Sequence, residues 1–214
     1  MTTIFQNLLR VSAVVALVAC SDSSGPDTAK LSIMLKDAPG DVLEAVVTID
    51  QIYLQGGAAD TDTEEAAPEN ARVNLLSAPV TVDLLTLADE WMTLVGDAEI
   101  PAGTYGQLRF VVSGAYLKVA EEGGDRIYAT STDYAGLPDG AEVSGSLQAP
   151  SFANSGLKVS FPGGVTVEGE TALLVDFDVA DSFGKQAGQG DKWVMHPVLK
   201  GSVVEPEAAV ARNK

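Results

Sequence analysis

Leu108-Arg109-Phe110-Val111-Val112-Ser113 sets apolar side chains at every second position, and Leu117 and Val119 resume the alternation farther on. A period of two buries one face of an extended strand and wets the other. Glu121-Glu122-Gly123-Gly124 then interrupts it, and Arg126-Ile127-Tyr128 starts again, which is the chemistry of a hairpin. The same alternation spreads outward from this centre. Leu31, Ile33 and Leu35 alternate with Ser32, Met34 and Lys36. Val47 and Ile49 are followed by Ile52 and Leu54, one residue out of phase, which places a bulge near Asp50-Gln51. Leu157, Val159 and Phe161 repeat the pattern. So do Leu173, Val175, Phe177 and Val179, set against Leu174, Asp176 and Asp178. A last strand is expected from about Lys192 to Val204.

One stretch has helical spacing instead: Leu84, Leu85, Leu87, Ala88, Trp91, Met92 and Val95, with Asp89 as a plausible start. Many short strands parted by Gly, Pro, Asn and Asp read as a sandwich or barrel. The expectation is a mainly β chain: a single antiparallel β-sandwich, immunoglobulin-like or transthyretin-like, over residues 30–205. It carries one short helix, and residues 206–214 form a frayed tail.

Composition removes several functions. The chain has 214 residues with 13 basic and 30 acidic side chains, a formal charge of −17. Such a surface repels a phosphate backbone, so no nucleic-acid partner is expected. One Cys and one His cannot build a zinc cage, and a lone Cys forms no internal disulfide.

The first residues read as an address. Arg10 precedes the small-apolar run Val11 to Ala19, which ends at Cys20 before Ser21-Asp22-Ser23-Ser24-Gly25-Pro26. Such a run rises only ~14 Å as a helix, too little to cross ~30 Å of hydrocarbon. A short apolar core after a basic start is the signal-peptide pattern. Leu17-Val18-Ala19-Cys20 resembles the bacterial lipobox. That resemblance implies cleavage after residue 19, lipid on the Cys20 thiol and an acylated amine. Several acyl chains anchor a protein stably where one does not. Residues 20–29 then act as lipidated Cys and polar tether. Ser21 stands where an Asp would favour inner-membrane retention, so the outer membrane of a bacterial envelope is the expected location. The acidic mature surface should stand off anionic lipid rather than lie on it.

Several strand words resemble one family. Leu31-Ser32-Ile33-Met34-Leu35-Lys36-Asp37-Ala38-Pro39, Val46-Val47-Thr48-Ile49-Asp50-Gln51-Ile52 and Val82-Asp83-Leu84-Leu85-Thr86-Leu87 are similar to segments of the bacterial domain of unknown function 4382. Ile100-Pro101-Ala102-Gly103-Thr104-Tyr105-Gly106-Gln107-Leu108-Arg109 is the most specific match. Ser155-Gly156-Leu157-Lys158, Leu174-Val175-Asp176-Phe177-Asp178 and Pro197-Val198-Leu199 follow in order. The resemblance implies a β-sandwich and an exported, often lipid-anchored protein. It implies no activity, and no catalytic residue is carried over from it. Met34 and Lys36 depart from the family pattern, and Gly56 to Asn70 is an acidic insert.

The residues that could carry chemistry are few. His196 sits in the apolar segment Trp193 to Val198, with no GxSxG elbow to partner it, and reads as a strand histidine. Asp176 and Asp178, two apart, share a strand face and could form an acid–base pair or bind Ca²⁺, but they fit a solvated or turn-bonding face better. Asp60, Asp62 and Glu64 alternate in the acidic insert and could offer oxygens to Ca²⁺, although without the spacing of an EF-hand loop. Trp91 and Trp193 suit core packing better than glycan stacking. The expected role is therefore a non-enzymatic binding or scaffold module, held at the membrane by its lipid, with an unidentified protein or glycan partner and no required cofactor. A Ca²⁺-dependent or glycan-binding adhesion module is the second reading. A hydrolase using Asp176, Asp178 or His196 is the third.

Overall fold

A computed structural model describes residues 28–38, 42–56, 72–88, 90–149, 156–159, 161–182, 191–207 and 211. Two sheets face each other across one core. The smaller holds β1 (Thr28–Ala38), β5 (Met92–Pro101), β11 (Glu170–Asp178) and β13 (Leu199–Val204), in the order β13-β11-β1-β5. The larger runs β12-β8-β7-β6-β2-β3. It comprises β2 (Glu44–Gly56), β3 (Arg72–Asn74), β6 (Gly103–Glu121), β7 (Gly124–Ala129), β8 (Val143–Gln148) and β12 (Lys192–Val194). β4 (Val80–Asp83) joins β2, while β9 (Leu157–Val159) and β10 (Val165–Val167) join β6.

The alternation read in the sequence becomes the two inner faces. Leu31, Ile33 and Leu35 of β1 and Leu173, Val175 and Phe177 of β11 pack in one cluster with Ile52, Leu54, Leu108, Phe110, Val112 and Leu117. Each fully buried side chain of this size contributes about 1.5–3 kcal/mol over leaving it in water. The 19-residue β6 runs unbroken through both alternating segments and turns into β7. Gly123 and Gly124 make that turn at φ 108° and 124°, angles a side chain would strain. The β2–β6 register slips at Thr48/Ile49 and Ile49/Gln51, the expected bulge.

Three expectations are corrected. The sheets are mixed rather than wholly antiparallel: β1 pairs β11 in parallel, as do β7 and β8, and β8 and β12. β1 and β11 are far apart in sequence, so no short hairpin forces them antiparallel. The helix expected between Leu84 and Val95 is absent. Leu84–Leu87 form one 3₁₀ turn, capped by Asp83, whose carboxylate accepts from the Leu85 amide at 3.2 Å. From Met92 the chain then pairs with β1, because ladder bonds and the burial of Leu94 and Val95 outweigh the local helical spacing. A four-residue α-helical turn forms elsewhere, α1 (Val179–Ser182). Finally, the last strand is two. β12 joins the larger sheet and β13 the smaller, with 195–198 crossing between them. β1 begins at Thr28, two residues inside the stretch read as tether.

Candidate functional site

The acidic pair expected on β11 is occupied structurally. The Lys36 ammonium lies 2.8 Å from Asp176 Oδ2 across the parallel ladder. Asp178 takes the Asp181 amide on Oδ1 at 3.0 Å, capping α1, and Lys200 Nζ on Oδ2 at 3.2 Å. The backbone amide of Asp181, then Lys200, holds the Asp178 carboxyl below its ordinary value. A carboxyl so held is a poor proton donor near neutral pH. His196 is not in a strand. It is exposed on the crossing segment, with its amide donating to the Ser182 carbonyl at 2.6 Å. Among the described residues no three His, Cys, Asp or Glu side chains gather to hold a metal ion. Cys20, and Asp60, Asp62 and Glu64, lie outside the described residues.

The two tryptophans go to different layers. Trp193 on β12 packs against the core with its ring 5.8 Å from that of Tyr128. Trp91 lies on the outer face of the smaller sheet, partly buried against Met34, Ala172 and Leu174.

Among the described residues, concavities lie on the outer faces of both sheets. The first, about 500 Å³, lies on the smaller sheet. Met34 and Ala172 floor it, and Lys30, Glu170 and Asp97 stand at its rim. Pro206 and Glu207, at the start of the expected frayed tail, also line it. Here Ser32 faces a bulge in β5: the register jumps from Leu31↔Ala98 to Ile33↔Val95, leaving Gly96-Asp97 opposite one residue. Asp97 sits at φ 48°, the only described non-glycine residue in that region. Its amide donates to Ser32 Oγ at 3.1 Å. Strain of this kind, about 1–3 kcal/mol, persists where the surroundings over-determine it and concentrates at functional places.

The second hollow, about 380 Å³, lies on the larger sheet and is lined with hydroxyls: Thr48, Thr81, Ser113, Thr130, Ser131 and Tyr134. Thr48 Oγ1 is 2.8 Å from Thr81 Oγ1 and 2.7 Å from the Tyr134 hydroxyl. The Tyr134 ring lies on Gly114. A Cβ built there would meet ring carbons Cδ2 and Cε2, the latter at 2.5 Å. Gly136 closes from the other side, its Cβ position 2.5 Å from Cζ. Burial raises the Tyr134 phenol above its ordinary value. Tyr134 thus pins the loop from Thr130 to Glu142 onto the sheet. Neither Tyr134 nor Asp97 stands out by residue type or spacing. Glycine inside a strand, at Gly114 and at Gly96, was the available signal for both, since it marks a bulge or a close approach.

In the first concavity the Ser32 hydroxyl donates to Asp97 Oδ1 at 3.5 Å, with Lys30 and Glu170 also lining it. Curated proteins and solved structures give no match to the chain. The match that exists covers residues 28–197, from the start of β1 to the crossing segment before β13, and its family is described as a domain of unknown function. The chain belongs to that family, DUF4382, and the matched segment holds every strand of the two sheets except β13.

Proposed function

We propose that this chain is a bacterial envelope lipoprotein whose folded domain is a non-catalytic binding or scaffold module, held at the outer membrane through Cys20. The observation that carries the reading is the employment of the acids. Asp176 and Asp178, the strongest catalytic pair in the sequence, neutralise Lys36 and Lys200 and cap a turn. The outer faces offer broad, shallow surfaces instead, one built around a strained bulge and one around a pinned tyrosine. Binding asks for shape and hydrogen bonds, which these faces have. Anchorage rests on Leu17-Val18-Ala19-Cys20 standing a short polar stretch ahead of β1.

Metabolic labelling with alkyne-palmitate tests the anchor. Label in the wild-type chain, with none in Cys20→Ala and that variant moved to the soluble fraction, is the expected result. Label that persists in Cys20→Ala overturns it. A turnover assay in which the purified domain consumes a substrate overturns the non-catalytic part.

A further inference from the structure

The loop that leaves β7 folds back over the outer face of the larger sheet. Residues 130–142 join β7 to β8, and connections of roughly that length are uncommon in compact domains unless they have a role. This one is held firmly. The Thr130 hydroxyl takes the Ala115 amide at 3.1 Å and donates to the Ala115 carbonyl at 3.2 Å. Tyr134 and Leu137 pack on Val46, Tyr116 and Ala129. Backbone turns close from Ser131 to Tyr134, from Tyr134 to Leu137 and from Pro138 to Ala141. A rim fixed beforehand loses little freedom when a ligand arrives.

The loop walls in the hollow of about 380 Å³, within the ~300–1,000 Å³ range of small-ligand sites. In a chain of 30 acidic and 13 basic side chains, Asp133 alone brings a charge to its described lining. The strand preference of threonine accounts for Thr48 on β2 and Thr81 on β4. It does not account for Ser113 on β6, or for Ser131 and Asp133 on the loop, all three exposed and lining the same hollow. The hydrogen bonds leave donors over. Thr48 Oγ1 stands between Thr81 Oγ1 and the Tyr134 hydroxyl, so two bonds join three hydroxyls. Whichever way the protons run, one of them is left unused. Ser131 Oγ accepts the Asp133 amide at 3.2 Å and keeps its own proton. Among the described residues, no protein group bonds Ser113 Oγ or the Asp133 carboxylate. Donors therefore stand at Ser113, at Ser131 and on the Thr48 chain, with a carboxylate acceptor at Asp133.

We infer that this hollow binds a neutral sugar unit of a glycan chain. A sugar hydroxyl both donates and accepts, so neighbouring hydroxyls satisfy these donors and the carboxylate together. The Asp133 oxygens take two of them in charge-assisted bonds. The same charge repels phosphate and uronate, and no Lys, Arg or His among the described lining residues offsets it. The Tyr134 ring is held between Gly114 and Gly136. It offers no open face for stacking, so hydroxyl bonds select the ligand. The inference rests on the binding-module reading and gives it a face and a ligand class.

Isothermal calorimetry on the full chain, in a detergent without a sugar headgroup, tests it with mannotriose, maltotriose and cellotriose, beside trigalacturonate and spermidine. At least one neutral trisaccharide is expected to bind more tightly than either charged probe. Its affinity should be equal in low and high salt, because an uncharged ligand is not screened. Asp133→Asn should weaken that binding about tenfold and Ser113→Ala about threefold. Both side chains are exposed and unbonded, so neither variant's melting midpoint should move. Silence from all three trisaccharides overturns the inference. So does tighter binding of spermidine or trigalacturonate, an affinity that neither variant changes, or midpoints that fall with the affinities. Such a failure leaves the module reading to the concavity of the smaller sheet. Recovery of the bound trisaccharide intact supports both readings, whereas a cleaved one overturns the non-catalytic module and keeps the site.

Discussion

Replacing Gly114 by alanine should do opposite things depending on what occupies position 134. The added Cβ would lie 2.5 Å from Tyr134 Cε2, whereas carbon atoms rest at about 3.5–4.0 Å. The ring must retreat by about 1 Å. The hydroxyl contact with Thr48, now 2.7 Å, then lengthens to about 3.7 Å and is lost. Overpacking of this kind costs about 1–3 kcal/mol, and the hydrogen bond adds about 1 kcal/mol. The three nearest atoms to that Cβ all belong to Tyr134. With Tyr134→Ala the obstacle disappears. Alanine in a strand is then better than glycine by about 0.5–1 kcal/mol. The double-mutant cycle, measured by urea unfolding of the domain from residue 21 onward, should give a coupling of about 2–4 kcal/mol with a change of sign between backgrounds. Gly114→Ala that costs the same in both backgrounds would falsify the clamp.

Asp97→Gly should stabilise the domain by about 0.5–1 kcal/mol, raising its melting midpoint by roughly 1–4 °C, because glycine accepts φ 48° without strain and the amide bond to Ser32 survives. A loss of stability would show that the aspartate side chain, not the backbone, holds the bulge. Lys36→Ala should cost about 1 kcal/mol by denaturant midpoint and Lys30→Ala much less. The first pair is 2.8 Å long and half-buried, whereas the second is 3.7 Å and largely exposed. Equal costs would remove burial as the cause. Stability should fall at both ends of the pH scale. Glu44, held down first by the Tyr116 hydroxyl, and Asp178, held down first by the Asp181 amide, contribute above their ordinary 4.5 and 3.8 and lose that contribution as pH falls through their lowered values. Tyr116 and Tyr134, both raised mainly by burial, keep theirs below the ordinary 10.0 and lose it as pH rises beyond that. A flat profile below pH 4 in chemical unfolding contradicts the first half.

Inner faces were legible because burial writes a period of two. Leu108-Phe110-Val112 and Leu173-Val175-Phe177 need no partner to be recognised. Pairing was not legible. Nothing in Leu31-Ser32-Ile33 says that its neighbour is Thr171-Ala172-Leu173 running parallel, since that choice is made by the whole topology. The helical spacing from Leu84 onward misled because spacing reports apolar positions, and strand burial plus a tight capped turn can use the same ones. The candidate sites divide the same way. Asp176 and Asp178 stood out by type, yet only the cross-strand lysines reveal what they do. Tyr134 and Asp97 carry their meaning in contacts, which no single stretch of sequence contains.

The intact mass of the mature chain extracted from envelopes tests the central claim most directly. A polypeptide starting at Cys20, heavier than its sequence by a diacylglyceryl group and one acyl chain, is the expected result. An unmodified polypeptide with a different first residue contradicts it.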